Sequence, residues 1–401
     1  MKEKLSIDII GLTGACSYAL DCIEAELVNI KNKHGKRVAY ISVCMAEYWA
    51  IQGDALQDLA MCALLHDNAL TQYIAEELKK DSSGKKVNLH CIYGEKNIAK
   101  FPFKTDVSNV ILYHHEHADG TGPFQKQWNE IPLFARILHL ADTIEIIGNS
   151  KKSDNNSWDF ICQFLLKNKD RLFDSECVNA FLHVFTKESF MCLSDGSFET
   201  KLWETIPREK QVFDWEMCKN VADFFAKIVD YKSSFTSRHS IGVAEKAALL
   251  AKYMGYDSIA VQKMYLAGAL HDIGKMAVGN EILEKPDKLT EDEFSKMKNH
   301  AGYTYLILSM VDDFEEIRDW AAFHHEKLNG KGYPFGKTAD ELNEPERMMA
   351  CVDIYQALTE ERPYKKGLSH EKTCDILDDM AQKGFIDSDI SEKIRECFGR
   401  T

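Results

Sequence analysis

The chain lacks the long apolar segments of membrane-spanning proteins. Its longest early uncharged stretch, Ile9 to Leu20, has 12 residues, whereas an α-helix needs about 20 to cross a bilayer. The residues before this stretch include Glu3 and Asp8, so they lack the basic-then-apolar order of a secretory signal peptide. We therefore expect a cytoplasmic protein that does not bind membranes.

An excess of positive charge is also missing. The 401 residues contain 49 Lys and Arg against 63 Asp and Glu, which gives a formal net charge of −14. Broad binding to a nucleic acid polymer needs a basic face, so we expect no such partner. A small phosphate ligand is not excluded, because bound metal cations can reverse the field locally.

The chain has no Cys-x-x-Cys pair and few prolines. None of the 12 cysteines belongs to a Cys-x-x-Cys pair, and scattered cysteines in a chain of this length indicate reduced, buried side chains. There are only 8 prolines, and segments such as 241–254 and 261–270 carry apolar residues at three- and four-residue steps. This spacing is typical of helices, so we predict an all-α fold.

The chain repeats itself over a distance of about 205 to 211 residues. In each half a lone histidine precedes a His-Asp pair by 32 residues, and a His-His pair follows another histidine by 24. The repeated positions are His34, His66, Asp67, His90, His114, His115 and Asp142, and then His239, His271, Asp272, His300, His324, His325 and Asp353. This order indicates an internal duplication, with predicted domains over residues 1–208 and 209–401.

The repeated histidines are candidate metal ligands. A lone histidine in a helix is usually hydrogen-bonded or exposed, which is our interpretation of the four others, His117, His139, His183 and His370. The His-Asp pairs differ, because His271-Asp272 ends the apolar run 265–270. Burying two ionisable groups without partners costs several kcal/mol, and bound cations would compensate for that cost.

The kinds of donor indicate which cations to expect. Each half offers imidazole nitrogens and carboxylate oxygens but no thiolate, a set that favours iron or manganese over structural zinc. Seven ligand groups are too many for one ion and suit two. Two ions roughly 3.5–4 Å apart are typical of enzymes that carry out displacement at phosphorus.

The second half carries further motifs around these ligands. They are His271-Asp272-Ile273-Gly274-Lys275, the run from His324-His325-Glu326 to Gly330-Lys331-Gly332-Tyr333-Pro334, and Arg362-Pro363-Tyr364-Lys365 downstream of Asp353. In combination they resemble the HD superfamily of metal-dependent phosphohydrolases and its HD-GYP subfamily. The resemblance implies an all-helical fold and hydrolysis of a cyclic dinucleotide, typically cyclic di-GMP, to pGpG or GMP.

The resemblance also implies roles for single residues. The metal ligands would be His239, His271, Asp272, His300, His324, His325 and Asp353, with Asp272 bridging two ions. Asp272 and Lys275 would be the catalytic pair, since a lysine three residues after the aspartate faces the scissile phosphate and stabilises its developing charge. Tyr333 would lie against the ligand, and Arg362 and Lys365 would bind phosphate oxygens.

Some positions depart from the family pattern. Asn329 stands where the family has aspartate before Gly-x-Gly-Tyr-Pro, and Gln356 stands where aspartate is common. Phe235 occupies the position of a glutamate in members with three metals, so we predict two ions. For Glu326 two roles remain open, namely participation in catalysis and a hydrogen bond to a ligand histidine.

The first half departs further. It keeps its seven donors, so a second metal site at His34, His66, Asp67, His90, His114, His115 and Asp142 is expected. However, Leu70 replaces the lysine, and residues 120–124 and 150–154 replace the Gly-Tyr-Pro and Arg-Pro-Tyr-Lys segments. Three roles remain open for this half: a metal-loaded regulatory or structural domain, a hydrolase for another phosphate ester, and a second cyclic dinucleotide site.

The resulting hypothesis is a phosphodiesterase in the C-terminal half that acts on cyclic di-GMP. Two alternatives remain open: hydrolysis of 3′,3′-cyclic GMP-AMP, and a non-catalytic receptor for a cyclic dinucleotide. Because the repeat uses both halves of the chain, regulatory input would come from the first half or from a separate protein. The partners we expect are the cyclic dinucleotide and either a second copy of the chain or a separate sensory protein.

Overall fold

The protein is almost entirely helical, which confirms the predicted fold class. The structure, a computed structural model, describes residues 4–28, 33–77, 88–150, 157–232, 239–285, 287–361 and 366–399. Arg362, Lys365 and Phe235 lie outside these residues, as do residues 151–154. None of the described helices is long and apolar enough to cross a membrane.

The chain divides into two compact units. One comprises Ile9–Glu209, and the other comprises Lys210–Thr401 together with the segment that ends at Asp8. A small antiparallel sheet joins that segment to the second unit, since β1 (Leu5–Ile7) pairs with β2 (Gln211–Phe213). Leu5, Ile7 and Phe213 are buried. Helical periodicity did not predict these strands, because three residues are too few to establish an alternation.

The first unit is a bundle of helices around a core of aliphatic and aromatic side chains. Its described helices are α1 (Ile9–Val28), α2 (His34–Ala46), α3 (Gly53–Leu64), α4 (Leu70–Glu77), α5 (Asn88–Ile98), α6 (Leu133–Ser150), α7 (Ser157–Lys167), α8 (Ser175–Val184), α9 (Lys187–Phe190), α10 (Cys192–Asp195) and α11 (Phe198–Thr205). Short 3₁₀ turns cover Glu47–Trp49 and Trp128–Glu130.

The second unit repeats the pattern of helices. Its described helices are α12 (Trp215–Tyr231), α13 (His239–Tyr253), α14 (Ser258–Leu270), α15 (Asn280–Leu283), α16 (Glu291–Leu308), α17 (Glu315–Ala322), α18 (Glu344–Thr359), α19 (His370–Gln382) and α20 (Ser388–Phe398). Further 3₁₀ turns cover Ile273–Ala277 and Ala339–Glu341.

Side-chain caps define where the helices that carry candidate ligands begin. Thr290 and Glu293 form a capping box at the start of α16, and Asn343 and Glu346 form another at the start of α18. Each pair satisfies backbone amides that the first helical turn leaves without partners. The caps therefore set the positions of His300 in α16 and Asp353 in α18.

The duplication extends to tertiary contacts. Arg136 Nη1 lies 2.7 Å from Asp174 Oδ2 in the first unit, and Arg347 Nη1 lies 3.1 Å from Asp387 Oδ2 in the second. Both aspartates also cap the helix that follows them, α8 and α20 respectively. The same ion pair and the same cap at equivalent positions agree with the duplication inferred from the histidine spacing.

A close backbone approach joins the His-Asp turn to α16. The backbone amide of Gly274 donates to Thr304 Oγ1 at 3.0 Å, and that hydroxyl donates to the His271 carbonyl at 2.8 Å. A Cβ atom at position 274 would lie 2.0 Å from the His300 carbonyl oxygen. Only glycine permits this contact, which brings two candidate ligands, His271 and His300, together.

We predict that Gly274→Ala destabilises the protein by about 1–3 kcal/mol, because overpacking displaces backbone. Gly302→Ala is the matched control in α16, since its added Cβ would lie no closer than 3.7 Å to Pro334 and alanine favours helix over glycine. Chemical denaturation of both variants checks this. Equal stability of the two variants would contradict the packing argument.

Candidate metal centres

Five of the seven candidate ligands of the second unit lie at or near helix ends. The other two, His300 and Asp353, lie inside α16 and α18. His239 is the first residue of α13, and His271 and Asp272 directly follow α14. His324 and His325 follow α17. The histidines and aspartates meet in the interior of the unit, where all are buried except the partly buried His325.

Two groups of donors face the two oxygens of Asp272. On one side, His271 Nε2 lies 3.2 Å and His239 Nε2 lies 4.0 Å from Asp272 Oδ2, and His239 Nε2 lies 3.1 Å from Asp353 Oδ1. On the other side, His300 Nε2 lies 3.4 Å and His324 Nε2 lies 3.9 Å from Asp272 Oδ1. A carboxylate in this position can bridge two cations.

His325 is the seventh candidate ligand, and it lies near Asp353 rather than near Asp272. Its Nδ1 atom lies 3.8 Å from Asp353 Oδ2, whereas His300 Nε2 and His324 Nε2 lie 3.3 Å apart. Each of these three histidines offers one nitrogen to a common space. The structure therefore brings together all seven residues that the repeat singles out in this half.

Main-chain carbonyls orient three of the imidazoles. The Nδ1 atoms of His271, His300 and His324 hydrogen-bond the carbonyl oxygens three residues earlier, at 2.7, 2.6 and 2.6 Å. A carbonyl can only accept, so Nδ1 carries the proton and Nε2 keeps its lone pair. These contacts hold the rings in the tautomer that a cation requires.

His239 is oriented by a carboxylate that the sequence did not single out. Its Nδ1 atom lies 3.2 Å from Glu360 Oε2, just beyond the end of α18. Glu360 follows Asp353 by seven residues, so it lies on nearly the same face two turns further along. The seven-residue spacing could have predicted that Glu360 lies near Asp353. That prediction requires the helix α18 to extend to Thr359, which only the structure shows.

Burial and neighbouring charges set the protonation of the donors. Burial lowers the pKa of His325 to about 3 and that of His324 well below its usual value. Burial opposes a charge on His239 as well, but hydrogen bonds to Asp353 and Glu360 outweigh it and raise its pKa to about 9. His239 therefore holds a proton at neutral pH, which a cation must displace.

Asp272 stays ionised despite its surroundings. Burial by itself would raise the pKa of this carboxyl, but the neighbouring His271 and Lys275 outweigh that effect and hold the pKa well below its usual range. The ammonium group of Lys275 makes a short contact with Asp272 Oδ2. An ionised carboxylate is the form that binds cations.

Orphaned polar atoms show that these residues fit a metal. His271 Nε2 and Asp272 Oδ1 are buried and make no hydrogen bond, and the same holds for His66 Nε2 and His114 Nε2 in the first unit. Buried polar groups nearly always have a partner, and each of these atoms points into a cluster of donors. Cations at the two clusters would satisfy all four atoms.

The first unit contains an equivalent cluster. Asp67 Oδ2 lies 3.4 Å from His66 Nε2, and Asp67 Oδ1 lies 3.7 and 3.9 Å from the Nε2 atoms of His90 and His114. Asp142 Oδ1 lies 3.3 Å from His34 Nε2, and Asp142 Oδ2 lies 3.9 Å from His115 Nδ1. The carboxylate of Asp67 is thus placed between two donor groups, as that of Asp272 is.

The surroundings of the two clusters differ around the first histidine. His34 Nδ1 lies 2.6 Å from Glu145 Oε2, and the other oxygen of Glu145 contacts Arg37. In the second unit the equivalent positions hold Gln356 and Gly242, and a Cβ at Gly242 would lie 2.4 Å from Gln356 Nε2. The two units therefore support the same histidine with carboxylates from different positions.

A thiol also distinguishes the first cluster. The donor set predicted from the sequence contains no thiolate, yet Cys91 Sγ lies 3.4 Å from His90 Nε2 and groups with His90, His114 and His115. The signal was present, since Cys91 directly follows His90. It was overlooked because buried cysteine is usually only a small apolar residue.

The hydrogen bonds of Glu326 indicate a role other than the two left open for it. Its carboxylate accepts hydrogen bonds from the backbone amides of Phe335, Gly336 and Lys337 at 2.7, 3.1 and 3.0 Å. It therefore holds the loop that presents Tyr333. The departure at Asn329 affects this loop as well, since Asn329 Oδ1 accepts from the Lys331 amide at 3.1 Å.

Tyr333 lies beside the cluster of the second unit. Its ring centroid is 4.7 Å from that of His325 and 6.3 Å from that of His300. From there a groove of about 620 Å³ runs between α16 and the loop, lined by Lys298, Asn299, Tyr303, Tyr333 and Phe335 among others. Its volume is in the range of small-molecule sites.

A comparison with protein families covers both halves of the repeat. The family model described as "HD domain" matches residues 22–174 and 223–390, which include both sets of candidate ligands. The chain belongs to the HD domain family. The tandem HD architecture inferred from the repeat is thereby confirmed.

Several curated relatives of this HD protein carry names of phosphodiesterases. One is 3′3′-cGAMP-specific phosphodiesterase 1 of Vibrio cholerae, 28% identical over 94% of this chain and 88% of the relative. A second, 3′3′-cGAMP-specific phosphodiesterase 3 of the same organism, is 30% identical over 73% of this chain and 63% of the relative. A cyclic di-GMP phosphodiesterase of Pseudomonas aeruginosa is 40% identical over 33% of this chain and 32% of the relative.

A solved structure supports the HD fold. The crystal structure of a cyclic GMP-AMP-specific phosphodiesterase of Vibrio cholerae covers 99% of this chain and 99% of its own, with a TM-score of 0.68 and 23% sequence identity. At this identity the likeness shows the fold alone.

We predict that Mn²⁺ binding to the C-terminal HD domain at pH 8 releases a proton from His239, because its raised pKa leaves it protonated and a ligand must be deprotonated. Glu360→Gln should reduce the release in part, since it weakens one of the two hydrogen bonds, to Asp353 and to Glu360, that raise this pKa. Calorimetry in buffers of different ionisation enthalpy counts the protons. Glu361→Gln, at the exposed neighbour, is the control, and equal release from wild type and Glu360→Gln would refute the assignment.

Proposed function

We propose that the C-terminal HD domain is a metal-dependent phosphodiesterase that hydrolyses a cyclic dinucleotide. The observation that carries the proposal is the position of Asp272, whose two oxygens face two separate groups of imidazoles while Lys275 contacts the same carboxylate. Two divalent cations, when bound, ionise water and neutralise charge on a phosphate. His239, His271, His300, His324, His325, Asp353 and the bridging Asp272 would hold them, with iron or manganese suiting these donors.

Lys275 supplies the fixed charge for this reaction. Its side chain is 20% exposed, whereas Asp272 beside it is buried, so the lysine lies between the carboxylate and the solvent side from which a phosphate would approach. A lysine there stabilises the negative charge that develops on the phosphoryl oxygens. Arg362 and Lys365 are proposed as further phosphate contacts on the strength of the family resemblance alone.

Tyr333 and the adjoining groove suit the nucleoside parts of the substrate. Burial raises the pKa of Tyr333, so its phenol stays neutral and offers a ring face and a hydroxyl. Phe335, further along the groove, is 55% exposed. Stacking of a base on an aromatic side chain contributes about 1–3 kcal/mol in other nucleotide-binding proteins.

The relatives bear on which cyclic dinucleotide is the substrate. The two that match most of this chain are named for 3′3′-cGAMP, whereas the cyclic di-GMP phosphodiesterase of Pseudomonas aeruginosa matches about one third of it. These names support 3′,3′-cyclic GMP-AMP at least as well as cyclic di-GMP. We therefore propose 3′,3′-cyclic GMP-AMP as the faster substrate, with cyclic di-GMP as the alternative.

The proposal predicts turnover by purified full-length protein loaded anaerobically with iron or manganese. The two cyclic dinucleotides are incubated in parallel, and the linear products are separated by chromatography. Faster loss of 3′,3′-cyclic GMP-AMP is the expected result. Binding of both compounds without turnover would instead indicate the non-catalytic receptor that the sequence left open.

Two variants separate metal binding from chemistry. Asp272→Ala should abolish hydrolysis and lower the metal content, because it removes the bridge between the two donor groups. Lys275→Ala should keep the metals and lose at least about 100-fold in kcat, the usual size of the effect when one charge-stabilising donor is removed. Elemental analysis and steady-state kinetics measure the two effects.

Lys383→Ala is the matched control for Lys275→Ala. Lys383 is exposed directly after α19 and pairs with Asp379 at 2.5 Å, so its removal should change neither metal content nor rate. Full activity of Lys275→Ala would exclude the role proposed for this lysine.

A further inference from the structure

The N-terminal HD domain carries a donor that its C-terminal counterpart lacks. Cys91 is fully buried on α5, and its Sγ lies 3.4 Å from His90 Nε2. The donor atoms of Cys91, His90, His114 and His115 all lie within 4.8 Å of one another. The equivalent of Cys91 in the second unit is Ala301, 210 residues later, which has no donor atom.

A second observation, an unsatisfied imidazole nitrogen, points to a ligand for this cluster. His114 is completely buried, and its Nε2 atom makes no hydrogen bond. Its Nδ1 atom lies 2.6 Å from the carbonyl of Ile111, so Nδ1 donates and the lone pair on Nε2 points into the cluster. An imidazole that is held in this way and left unsatisfied is characteristic of a metal ligand.

A thiolate changes the cation that such a cluster selects. Imidazole and carboxylate donors suit iron and manganese, whereas a cysteine thiolate added to three imidazoles makes a set of four nitrogen and sulfur donors, which suits zinc. The thiol proton passes to solvent when the metal–sulfur bond forms, because the thiolate is the coordinating species.

Two residues that the proposed catalysis uses in the second unit are replaced at the equivalent positions of the first unit's sequence. Leu70 stands three residues after Asp67, where the second unit has Lys275. The loop glycine Gly122 approaches Glu116 as Gly332 approaches Glu326, but the next residue is proline rather than tyrosine. A cation held there would lack the lysine and the loop tyrosine that the other unit offers a substrate at these two positions.

We propose that Cys91 is a ligand in the N-terminal HD domain and that, with His90, His114 and His115, it binds zinc, while the C-terminal domain binds iron or manganese. The two domains then carry different metals, and the first is a structural or regulatory unit. The proposal does not rest on the hydrolase activity of the second domain, because its test measures the metal–sulfur bond directly.

Cobalt substitution of the full-length protein tests the proposal, because a Co²⁺–thiolate bond gives a near-ultraviolet charge-transfer band that imidazole and carboxylate ligands do not give. We expect the band in wild type and its loss in Cys91→Ala, together with a fall in zinc affinity of more than about tenfold. Cys62→Ala, which removes another fully buried cysteine of the same unit, should keep the band.

The reciprocal variant makes the test independent of a folding defect. Ala301→Cys introduces the thiol at the equivalent position of the second unit and should add a second charge-transfer contribution with two equivalents of cobalt or more. Absence of the band in wild type, its persistence in Cys91→Ala, or no gain in Ala301→Cys would each overturn the proposal. Circular dichroism confirms that the variants retain their helices.

Discussion

A carboxylate buried among imidazoles is the feature on which the C-terminal unit depends. Asp272 lies in the interior and stays ionised, with His271 and Lys275 beside it and Asp353 across the cluster. Charges in such a place are costly unless oppositely charged partners compensate. Helix caps, main-chain carbonyls that orient the rings and the glycine contact at α16 all act to hold this cluster together. Cations bound here would satisfy the buried donor atoms that make no hydrogen bond, His271 Nε2 and Asp272 Oδ1.

The two HD domains show how a duplicated site can diverge while its geometry persists. The distances around Asp67 and Asp272 agree closely, and so do the ion pairs that close each bundle. The two units differ in the residues that contact the candidate ligands. Glu145 supports the first histidine in one unit and Glu360 does so in the other, and Ala301 occupies in the second unit the position that Cys91 has in the first. The arrangement of the seven candidate ligands is therefore retained, while the side chains that contact these ligands have changed.

Much of the site was accessible from the sequence because its residues recur at the same spacing in two halves. Chance cannot readily produce the same interval between His34 and His66 and between His239 and His271. Roles that depend on a contact between distant segments were less accessible. Glu326 was assigned to a histidine or to catalysis, whereas it binds the backbone of its own loop, and the short strand pair β1–β2 had no detectable pattern.

The amino-acid sequence alone determined the helical class, the duplication, the family resemblance and the identity of the seven candidate donors in each half, because period and spacing are properties of the linear chain. Tertiary structure decided which oxygen of Asp272 faces which imidazoles, which carboxylate orients His239, and that Cys91 joins a cluster of histidines. The physical reason is that ligand geometry and protonation depend on distances of 3 to 4 Å between segments far apart in the chain. Only packing of the helices sets those distances.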